Sequence, residues 1–149
     1  MKFKVKKFKE LSVNELYEML RLRSEIFVVE QNCVYLDMDN NDQDCIHVLG
    51  FEKKKLVAYA RIVPPGKTFK TVAIGRVVVD GNYRGKAYGY DIMKAAIKAT
   101  VKKYKPEVIS ISAQKHLDKF YGNLGFRSTG KVYLEDNIPH IKMLLKIKK

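Results

Sequence analysis

The segment that decides the fold is residues 74–89, IGRVVVDGNYRGKAYG. It contains the β-branched run Val77, Val78 and Val79, breaks at Asp80, and continues through a glycine-bearing loop into a helix-like stretch. A strand followed by such a loop and a helix start can bind phosphate, because the first N–H groups of a helix lack intrahelical partners and the helix dipole adds positive potential. The segment therefore predicts either an anion site or an ordinary strand-to-helix turn.

The loop of this segment supplies both backbone access and positive charge. Gly85 and Gly89 carry no Cβ, so an anion can approach the main chain closely. Arg84 and Lys86 place two basic side chains in the same stretch. The simpler interpretation is a tight turn whose basic side chains lie in water. Because a short glycine pattern is weak evidence by itself, the surrounding sequence has to distinguish the two.

Length and composition predict one globular domain that covers residues 1–149, because 46% of the 149 residues are hydrophobic and can form a sizeable core. No apolar run approaches the roughly 20 residues that span a bilayer. The first ten residues alternate apolar side chains with lysine and lack the continuous apolar core of a signal peptide. Cys33 and Cys45 do not have the spacing of a disulfide framework or a metal site. We therefore expect a cytoplasmic protein with no membrane segment and no bound metal.

The chain is strongly basic, with 29 Lys and Arg against 16 Asp and Glu and a net charge of +13. Such a charge can mark a polyanionic partner such as nucleic acid. Here the excess is mostly lysine and is scattered along the chain, whereas proteins that bind specific bases favour the planar arginine fork. We expect a solvated lysine surface and no specific nucleic-acid site, with non-specific association at low salt.

Outward from the segment, hydrophobic periodicity predicts an alternation of strands and helices. Residues 3–8 alternate like an edge strand, and residues 13–28 have helical spacing behind the capping pair Ser12 and Glu15. Further strands are predicted at 46–52, 56–63, 69–79, 108–112 and 138–147, and helices at 88–104 and 117–124. Only a turn or a short strand is predicted after Phe126.

The lengths of the connections predict how the strands pair. The three strands between residues 46 and 79 are joined too closely for crossovers, so they should be antiparallel. The helix before the strand at 108–112 implies a parallel pair. The predicted fold class is α+β, with a mixed, mostly antiparallel central sheet and helices on both faces.

An acidic island at residues 32–44 interrupts this pattern. Asp37, Asp39, Asp42 and Asp44 lie there among three asparagines. A calcium-binding EF-hand loop would need a central glycine and a closing glutamate, which are absent. Two alternatives stay open: a loop that attracts a cationic substrate, and a solvated loop without a ligand.

Six segments resemble the ElaA-like family of the GNAT superfamily of N-acetyltransferases. They are LRLRSEIFVVEQNCVY (20–35), AYARIV (58–63), IGRVVV (74–79), AQKHL (113–117), FYGNLGF (120–126) and EDNIPHIKM (135–143). The GNAT loop pattern has Gln or Arg, two residues, Gly, one residue, then Gly or Ala. It falls on Asn82, Gly85 and Ala87, so its first position departs. The family's usual glycine in the last segment is Asn137 here, and Asn tolerates the left-handed backbone that such a turn requires.

This resemblance implies acetyl-CoA as co-substrate. Its pantetheine arm would lie along the strand at 75–79, and its pyrophosphate would bind the N–H groups of residues 84–89. The implied cofactor-binding residues are Val77, Val78, Val79, Arg84, Gly85, Lys86, Ala87, Tyr88, Gly89 and Gln114. Gln114 and Arg76 can also be interpreted as purely structural residues.

Acetyl transfer to an amine needs a polarised carbonyl, a proton for the leaving thiolate and a neutral amine. Backbone N–H groups near Val77 and Val78 can bind the acetyl oxygen if the strand splays or bulges there. Tyr121 matches the general acid of the family, and a phenol with a pKa of about 10 can protonate a thiolate beside it. Without the resemblance, Tyr121 would be interpreted as packing on a short helix.

The sequence says least about the third requirement, the general base that makes the amine neutral. A lysine-like amine has a pKa of about 10.4, so its deprotonation at pH 7 costs roughly 4–5 kcal/mol. The candidate bases are Glu30, His116 and His140, together with Glu135 and Asp136, and a water relay is an alternative. Cys33 is expected to be a buried small residue, because no paired base for a nucleophilic thiol is evident.

The predicted function is an acetyl-CoA-dependent N-acetyltransferase that transfers the acetyl group directly to a primary amine of a small molecule or peptide. The sequence also allows a homodimer. Two alternatives belong to other functional classes. One is a non-catalytic module that binds or senses acyl-CoA. The other is a basic nucleic-acid-binding domain, against which the scattered lysines and the lack of interleaved aromatic residues count.

Overall fold

Seven strands form one mixed sheet in the computed structural model, which describes residues 1–148. The strands are β1 (Lys2–Lys7), β2 (Ile46–Glu52), β3 (Lys55–Val63), β4 (Ala73–Val79), β5 (Val108–Gln114), β6 (Arg127–Glu135) and β7 (Ile138–Lys146). The α-helices are α1 (Val13–Arg23), α2 (Tyr88–Tyr104) and α3 (Asp118–Gly122). No helix within residues 1–148 is both long enough and apolar enough to cross a membrane.

The strands lie in the order β1-β2-β3-β4-β5-β7-β6. Every neighbouring pair is antiparallel except β4 and β5, which are parallel because α2 connects them. The mixed, mostly antiparallel sheet that the connection lengths predict is therefore confirmed.

The sheet carries helices on both of its faces, as predicted. On one face, Ala60 of β3 packs in a cluster with Ile92 and Ala96 of α2. On the other face, the adjacent residue Tyr59 packs in a cluster with Leu22 of α1. All five side chains are fully buried. Because consecutive strand residues point to opposite faces of a sheet, β3 connects the two cores.

The helix predicted over residues 13–28 is only partly correct. The N-terminal capping box is present: the Ser12 hydroxyl accepts a hydrogen bond from the Glu15 N–H at 3.0 Å, and the Glu15 carboxylate accepts one from the Ser12 N–H at 2.8 Å. However, α1 ends at Arg23, and a π-helix continues over Ser24–Glu30. The π-helix inserts an extra residue per turn and is often found at functional sites.

The strand β4 is shorter than predicted and contains a bulge. It begins at Ala73. Gly75 pairs with Arg61 of β3 and Val78 pairs with Tyr59, so β4 has one more residue than β3 across this interval. Arg76, within the bulge, has a φ of 52°. On its other side β4 pairs with β5 only at Ala73, so the two strands diverge beyond that point.

The prediction of only a turn or a short strand after Phe126 is wrong, because β6 has nine residues and pairs with β7. Most of its side chains are exposed, so it lacks the alternation of apolar and polar residues that marks a half-buried strand. The hairpin between β6 and β7 turns at Asp136 and Asn137, with φ of 49° and 63°. Positive φ at both central residues is the geometry of a type I′ turn, so Asn137 adopts the expected left-handed conformation.

Candidate functional site

The divergence of β4 from β5 opens a cavity of about 1100 Å³. One wall is β4 with its bulge, and the opposite wall is the end of β5 with α3. The π-helix borders the cavity through Phe27 and Glu30, and the β6–β7 hairpin borders it through Glu135 and His140. One continuous cavity therefore joins the start of α2 to the hairpin at the far edge of the sheet.

The cavity brings together most of the predicted site residues. The candidates that line it are Val77, Val78, Val79, Arg84, Gly89, Gln114, Tyr121, Glu30, His116, His140, Glu135 and Asp136. The candidates that do not line it are the loop residues Gly85, Lys86 and Ala87 and the first residue of α2, Tyr88, which together connect Arg84 to Gly89.

The loop before α2 leaves backbone N–H groups free at the start of a 17-residue helix. Ala87 is the N-cap, with a left-handed φ of 62°, and its side chain offers no capping hydrogen bond. The first N–H of α2 that bonds back to the loop is that of Asp91, to the carbonyl of Ala87. A Cβ atom added at Gly85 would meet no heavy atom within 4 Å. The residues present therefore fit an anion held by helix N–H groups next to an open glycine.

The structure gives a reason for a glycine at position 89 that differs from the one that the sequence suggests. A Cβ atom at this position would lie 3.3 Å from the Phe120 ring, which is closer than ordinary packing allows. Phe120 in turn contacts Tyr90, with 4.6 Å between the ring centroids. The absence of a side chain at Gly89 thus allows α3 to pack closely against the start of α2.

Tyr121 reaches the cavity from a densely packed aromatic cluster. It is 8% exposed and makes edge-to-face contacts with Phe120 and Phe126, at 4.9 Å and 6.1 Å between centroids. Within residues 1–148 its hydroxyl has no hydrogen-bond partner, although the residue lines the cavity. Burial raises the pKa of Tyr121 to about 12, so the phenol is protonated at neutral pH.

The five candidate bases have very different surroundings. The Glu30 carboxylate is ion-paired with Arg84, at 2.6 Å, and both side chains are about half exposed. His116 is exposed at the cavity rim, and Asp136 is exposed in the β6–β7 turn. His140, in contrast, is buried, and its Nε2 lies 3.4 Å from the Glu135 carboxylate.

Two polar residues of the cavity region have no distinguishing signal in the sequence. The Ser112 hydroxyl on β5 donates a hydrogen bond to Glu135 at 3.3 Å, and it shares a second hydrogen bond with the Tyr133 hydroxyl on β6. These contacts depend on β5, β7 and β6 lying side by side. Because the position of β6 in the sheet could not be deduced from the chain, the contacts could not be predicted.

Gln114 and Cys33 also have specific contacts. The Gln114 amide donates a hydrogen bond to Gln31 at 3.2 Å, which connects the end of β5 to the segment after the π-helix. The Cys33 thiol donates one to the Asp136 carbonyl, at 3.6 Å. Cys33 is partly exposed and lines the cavity, so the expectation that it is a buried small residue is wrong.

Three of the four aspartates of the acidic island form ion pairs with arginines, whereas Asp44 is exposed and pairs with Lys67 at 2.7 Å. Arg23, which is fully buried, contacts Asp37 and Asp42 at 2.8 Å each. Arg61 binds both Asp39 oxygens, at 2.8 and 2.9 Å, and Arg76 Nε lies 2.8 Å from Asp37. Three aspartates thus pair with three arginines. We call these six residues (Arg23, Asp37, Asp39, Asp42, Arg61 and Arg76) the buried ion network.

The buried ion network fixes the backbone at the edge of the cavity. The Arg76 guanidinium donates a hydrogen bond to the Asp37 carbonyl at 3.0 Å, and Arg76 is the residue of left-handed φ in the β4 bulge. Burial acts to raise the pKa of Asp39 and Asp42, but hydrogen bonds from Arg61 and Arg23 outweigh it and hold both values below the ordinary range. Asp39 and Asp42 therefore stay ionised at neutral pH, and the contacts of Arg76 with Asp37 stabilise the bulge.

The comparisons with known proteins cover almost the whole chain. Residues 8–147 match a family described as "Acetyltransferase (GNAT) domain". The chain is 43% identical to Protein ElaA of Escherichia coli over 136 residues, which are 90% of this chain and 89% of that protein.

Solved structures agree with the sequence comparison. The crystal structure of Escherichia coli ElaA matches with a TM-score of 0.89 at 39% identity, covering 98% of this chain and 100% of that one. An acyl-CoA N-acyltransferase from Pseudomonas aeruginosa matches with a TM-score of 0.90 at 38% identity, covering 97% and 98%. An aminoglycoside 6′-N-acetyltransferase complexed with coenzyme A matches at 0.74 and 15% identity over 98% of both chains, which shows a shared fold.

Proposed function

The chain belongs to the GNAT acetyltransferase family, within which it is similar to ElaA, and from this premise we propose that it is an acetyl-CoA-dependent N-acetyltransferase. The acceptor is a primary amine, and the acetyl group passes to it directly. The single observation that carries the proposal is the cavity between β4 and β5, which runs from the N-terminus of α2 to Tyr121. Acetyl-CoA, when bound there, supplies an activated acetyl group as a thioester.

The diverging strand β4 is suited to hold an extended ligand. Because β4 pairs with β5 only at Ala73, the groups of its backbone that face β5 are free over the following residues. Val77, Val78 and Val79 line the cavity along this stretch. We assign the pantetheine arm to this stretch, as an added strand, and the N–H groups near Val77 and Val78 to the acetyl oxygen.

The start of α2 is suited to hold the pyrophosphate. The N–H groups of Tyr88 and Gly89 have no partner within the helix, and Gly85 leaves room for an anion to approach. Arg84 lies at the same rim, where its guanidinium is paired with the Glu30 carboxylate at 2.6 Å. Lys86 and Ala87 belong to this loop and contribute charge and backbone conformation.

Tyr121 is the proposed general acid. Its phenol remains protonated at neutral pH, because burial raises its pKa to about 12. A thiolate that leaves beside it can therefore take the phenolic proton.

The binding part of the proposal predicts stabilisation by acetyl-CoA. A ligand that binds only the folded protein stabilises it by about 2.7 kcal/mol at 100 times its Kd, which is roughly 5–10 °C in Tm for a chain of this size. The control is ATP at the same concentration, because a chain of net charge +13 will bind polyphosphates non-specifically at low salt. An acetyl-CoA shift no larger than the ATP shift at physiological salt would contradict the proposal.

The catalytic part predicts release of CoA with at least one member of a panel of small and peptidic primary amines. A thermal shift without CoA release across that panel would instead support a non-catalytic acyl-CoA-binding module. If the protein shows neither a thermal shift nor CoA release, it has neither of these two functions.

A further inference from the structure

We propose that His140, positioned by Ile138 and Glu135, is the group that takes the proton from the acceptor amine. This inference rests on the proposed acetyl transfer and identifies its general base. The site lies at the end of the cavity formed by the β6–β7 hairpin, away from the loop that precedes α2.

The hydrogen bonds of His140 determine which of its ring nitrogens is basic. Nδ1 lies 2.7 Å from the Ile138 carbonyl oxygen. Because a carbonyl can only accept, Nδ1 carries the proton in this contact, and the neutral ring has its lone pair on Nε2. His140 is 8% exposed and lines the cavity, so Nε2 is held in a fixed position within a mostly dry environment.

Glu135 is placed to stabilise the charge that proton transfer creates. Its carboxylate lies 3.4 Å from His140 Nε2 and accepts a hydrogen bond from Ser112 at 3.3 Å. The Tyr133 ring stacks on His140, with 6.2 Å between the centroids, and its hydroxyl bonds to Ser112. Because this carboxylate lies on the Nε2 side of the ring, it can accept a hydrogen bond from the N–H that forms there and so stabilise the charge that proton transfer creates.

The other candidates lack this combination. Glu30 already neutralises Arg84 at 2.6 Å, so its carboxylate is occupied at the opposite end of the site. His116 lies exposed on the short turn Lys115–Leu117, and its ring nitrogens have no partner within residues 1–148. Asp136 is exposed in the hairpin turn, where its backbone carbonyl accepts a hydrogen bond from the Cys33 thiol. Only His140 combines burial, a defined tautomer and an adjacent carboxylate.

The chemical step balances with the residues present. The acceptor ammonium gives one proton to His140 Nε2, and the freed lone pair on nitrogen forms the C–N bond with the acetyl carbon. The C–S bond breaks with its electron pair on sulfur, and the sulfur takes the phenolic proton of Tyr121. The second proton that leaves nitrogen as the amide forms returns through solvent to Tyr121, and His140 releases its proton to water.

The test uses two acceptor amines that need a base to different degrees. At pH 7.5, about 0.1% of a lysine ε-amine is neutral, against roughly a third of a peptide α-amine, from pKa values of about 10.4 and 7.7–8.0. We expect His140→Gln to lower kcat/KM for the ε-amine by about 100-fold or more. For the α-amine, the fold-decrease in kcat/KM should be at least ten times smaller. Glu135→Gln should lower the ε-amine rate by about tenfold, since the histidine remains.

Three results would overturn the proposal. Equal losses for both amines would mean that His140 is structural. An unchanged ε-amine rate would mean that it takes no proton. A loss in His116→Gln as large as that in His140→Gln would mean that the cavity as a whole is sensitive to these substitutions. If the wild-type protein releases no CoA with any primary amine, the proposed function itself fails, and the acetyl-CoA thermal shift shows whether binding survives.

A second measurement needs no variant, and it keeps the proposal testable if His140→Gln does not fold. Long-range proton–nitrogen NMR correlation on the wild-type protein distinguishes the two neutral tautomers of histidine. The hydrogen bond to Ile138 predicts the Nδ1–H tautomer for His140. The Nε2–H tautomer would overturn the proposal, because the lone pair would then face the Ile138 carbonyl.

Discussion

At the scale of single residues, the packing of Tyr121 can be separated from its chemistry. Its ring packs against Phe120 and Phe126, while its hydroxyl has no partner among the described residues. Tyr121→Phe should therefore leave Tm and the Kd for acetyl-CoA nearly unchanged and lower kcat by about 100-fold, because only the proton for the thiolate is lost. Steady-state kinetics and thermal shift measure the two effects, and equal losses of binding and turnover would make Tyr121 a packing residue.

The raised pKa of Tyr121 also means that this residue does not cause a loss of turnover at moderately alkaline pH. Burial raises the pKa of Tyr121 to about 12, so the phenol keeps its proton throughout the range in which enzymes are assayed. Any fall in rate as pH rises through 9 or 10 must therefore come from another group.

At the scale of elements, Glu15 connects the start of α1 to β1 and makes stability depend on pH. Burial acts to raise its pKa, but hydrogen bonds from Lys6 and Ser12 outweigh this and lower the pKa from 4.5 to about 2. A carboxyl with a lowered folded-state pKa stabilises the protein fully above its unfolded value, and that stabilisation is lost as pH falls from about 4.5 to about 2.

The substitution Glu15→Gln removes this effect while the capping geometry can remain. We expect a loss of about 1.5–3 kcal/mol in the free energy of unfolding at pH 7, since hydrogen bonds to a charged group are lost, and a loss near zero at pH 2. Denaturant unfolding at both pH values measures the difference. The matched control is Glu25→Gln, because Glu25 forms an exposed ion pair with Arg21. This substitution should lower the free energy of unfolding by less than about 1 kcal/mol. Equal losses at both pH values would refute the assignment.

Elements built from local signals were predictable, and those set by distant contacts were not. The capping box at Ser12, the close connections among β2, β3 and β4, and the amphipathic helix α2 all depend on neighbouring residues, and all were predicted. The strand β6 was missed because its side chains are mostly exposed and show no apolar alternation. Its backbone pairing with β7, which is not visible in the sequence, makes it a strand. The π-helix at Ser24–Glu30 was missed because its apolar residues have ordinary helical spacing.

The candidate site follows the same division. The residues of the loop before α2 indicated an anion site by themselves, the resemblance to ElaA-like proteins pointed to Tyr121, and most of the predicted residues line one cavity. The pairing of Glu135 with His140 could not be separated from the other candidates, because it depends on the β6–β7 register. The buried ion network joins Arg23, Arg61 and Arg76 to aspartates 14 to 39 residues away in the chain, and no local pattern marks such pairs.

At the scale of the whole molecule, the distribution of charge separates structure from surface. Three arginines and three aspartates neutralise one another in the buried ion network. The net charge of +13 therefore resides on the remaining charged side chains, most of which are lysines. The acidic island is part of this balance, so the carboxylates that face the cavity without an arginine partner are those of the β6–β7 hairpin, Glu135 and Asp136, among the residues described.

Initial-rate kinetics with both substrates varied distinguish direct transfer to an amine from transfer through a covalent acetyl-enzyme. Direct transfer predicts double-reciprocal lines that intersect, and no acetylated protein by intact mass when acetyl-CoA is added without an amine. Parallel lines together with an acetylated protein would contradict it. They would indicate a covalent acetyl-enzyme, with Cys33, the cysteine that lines the cavity, as the first residue to examine for the modification.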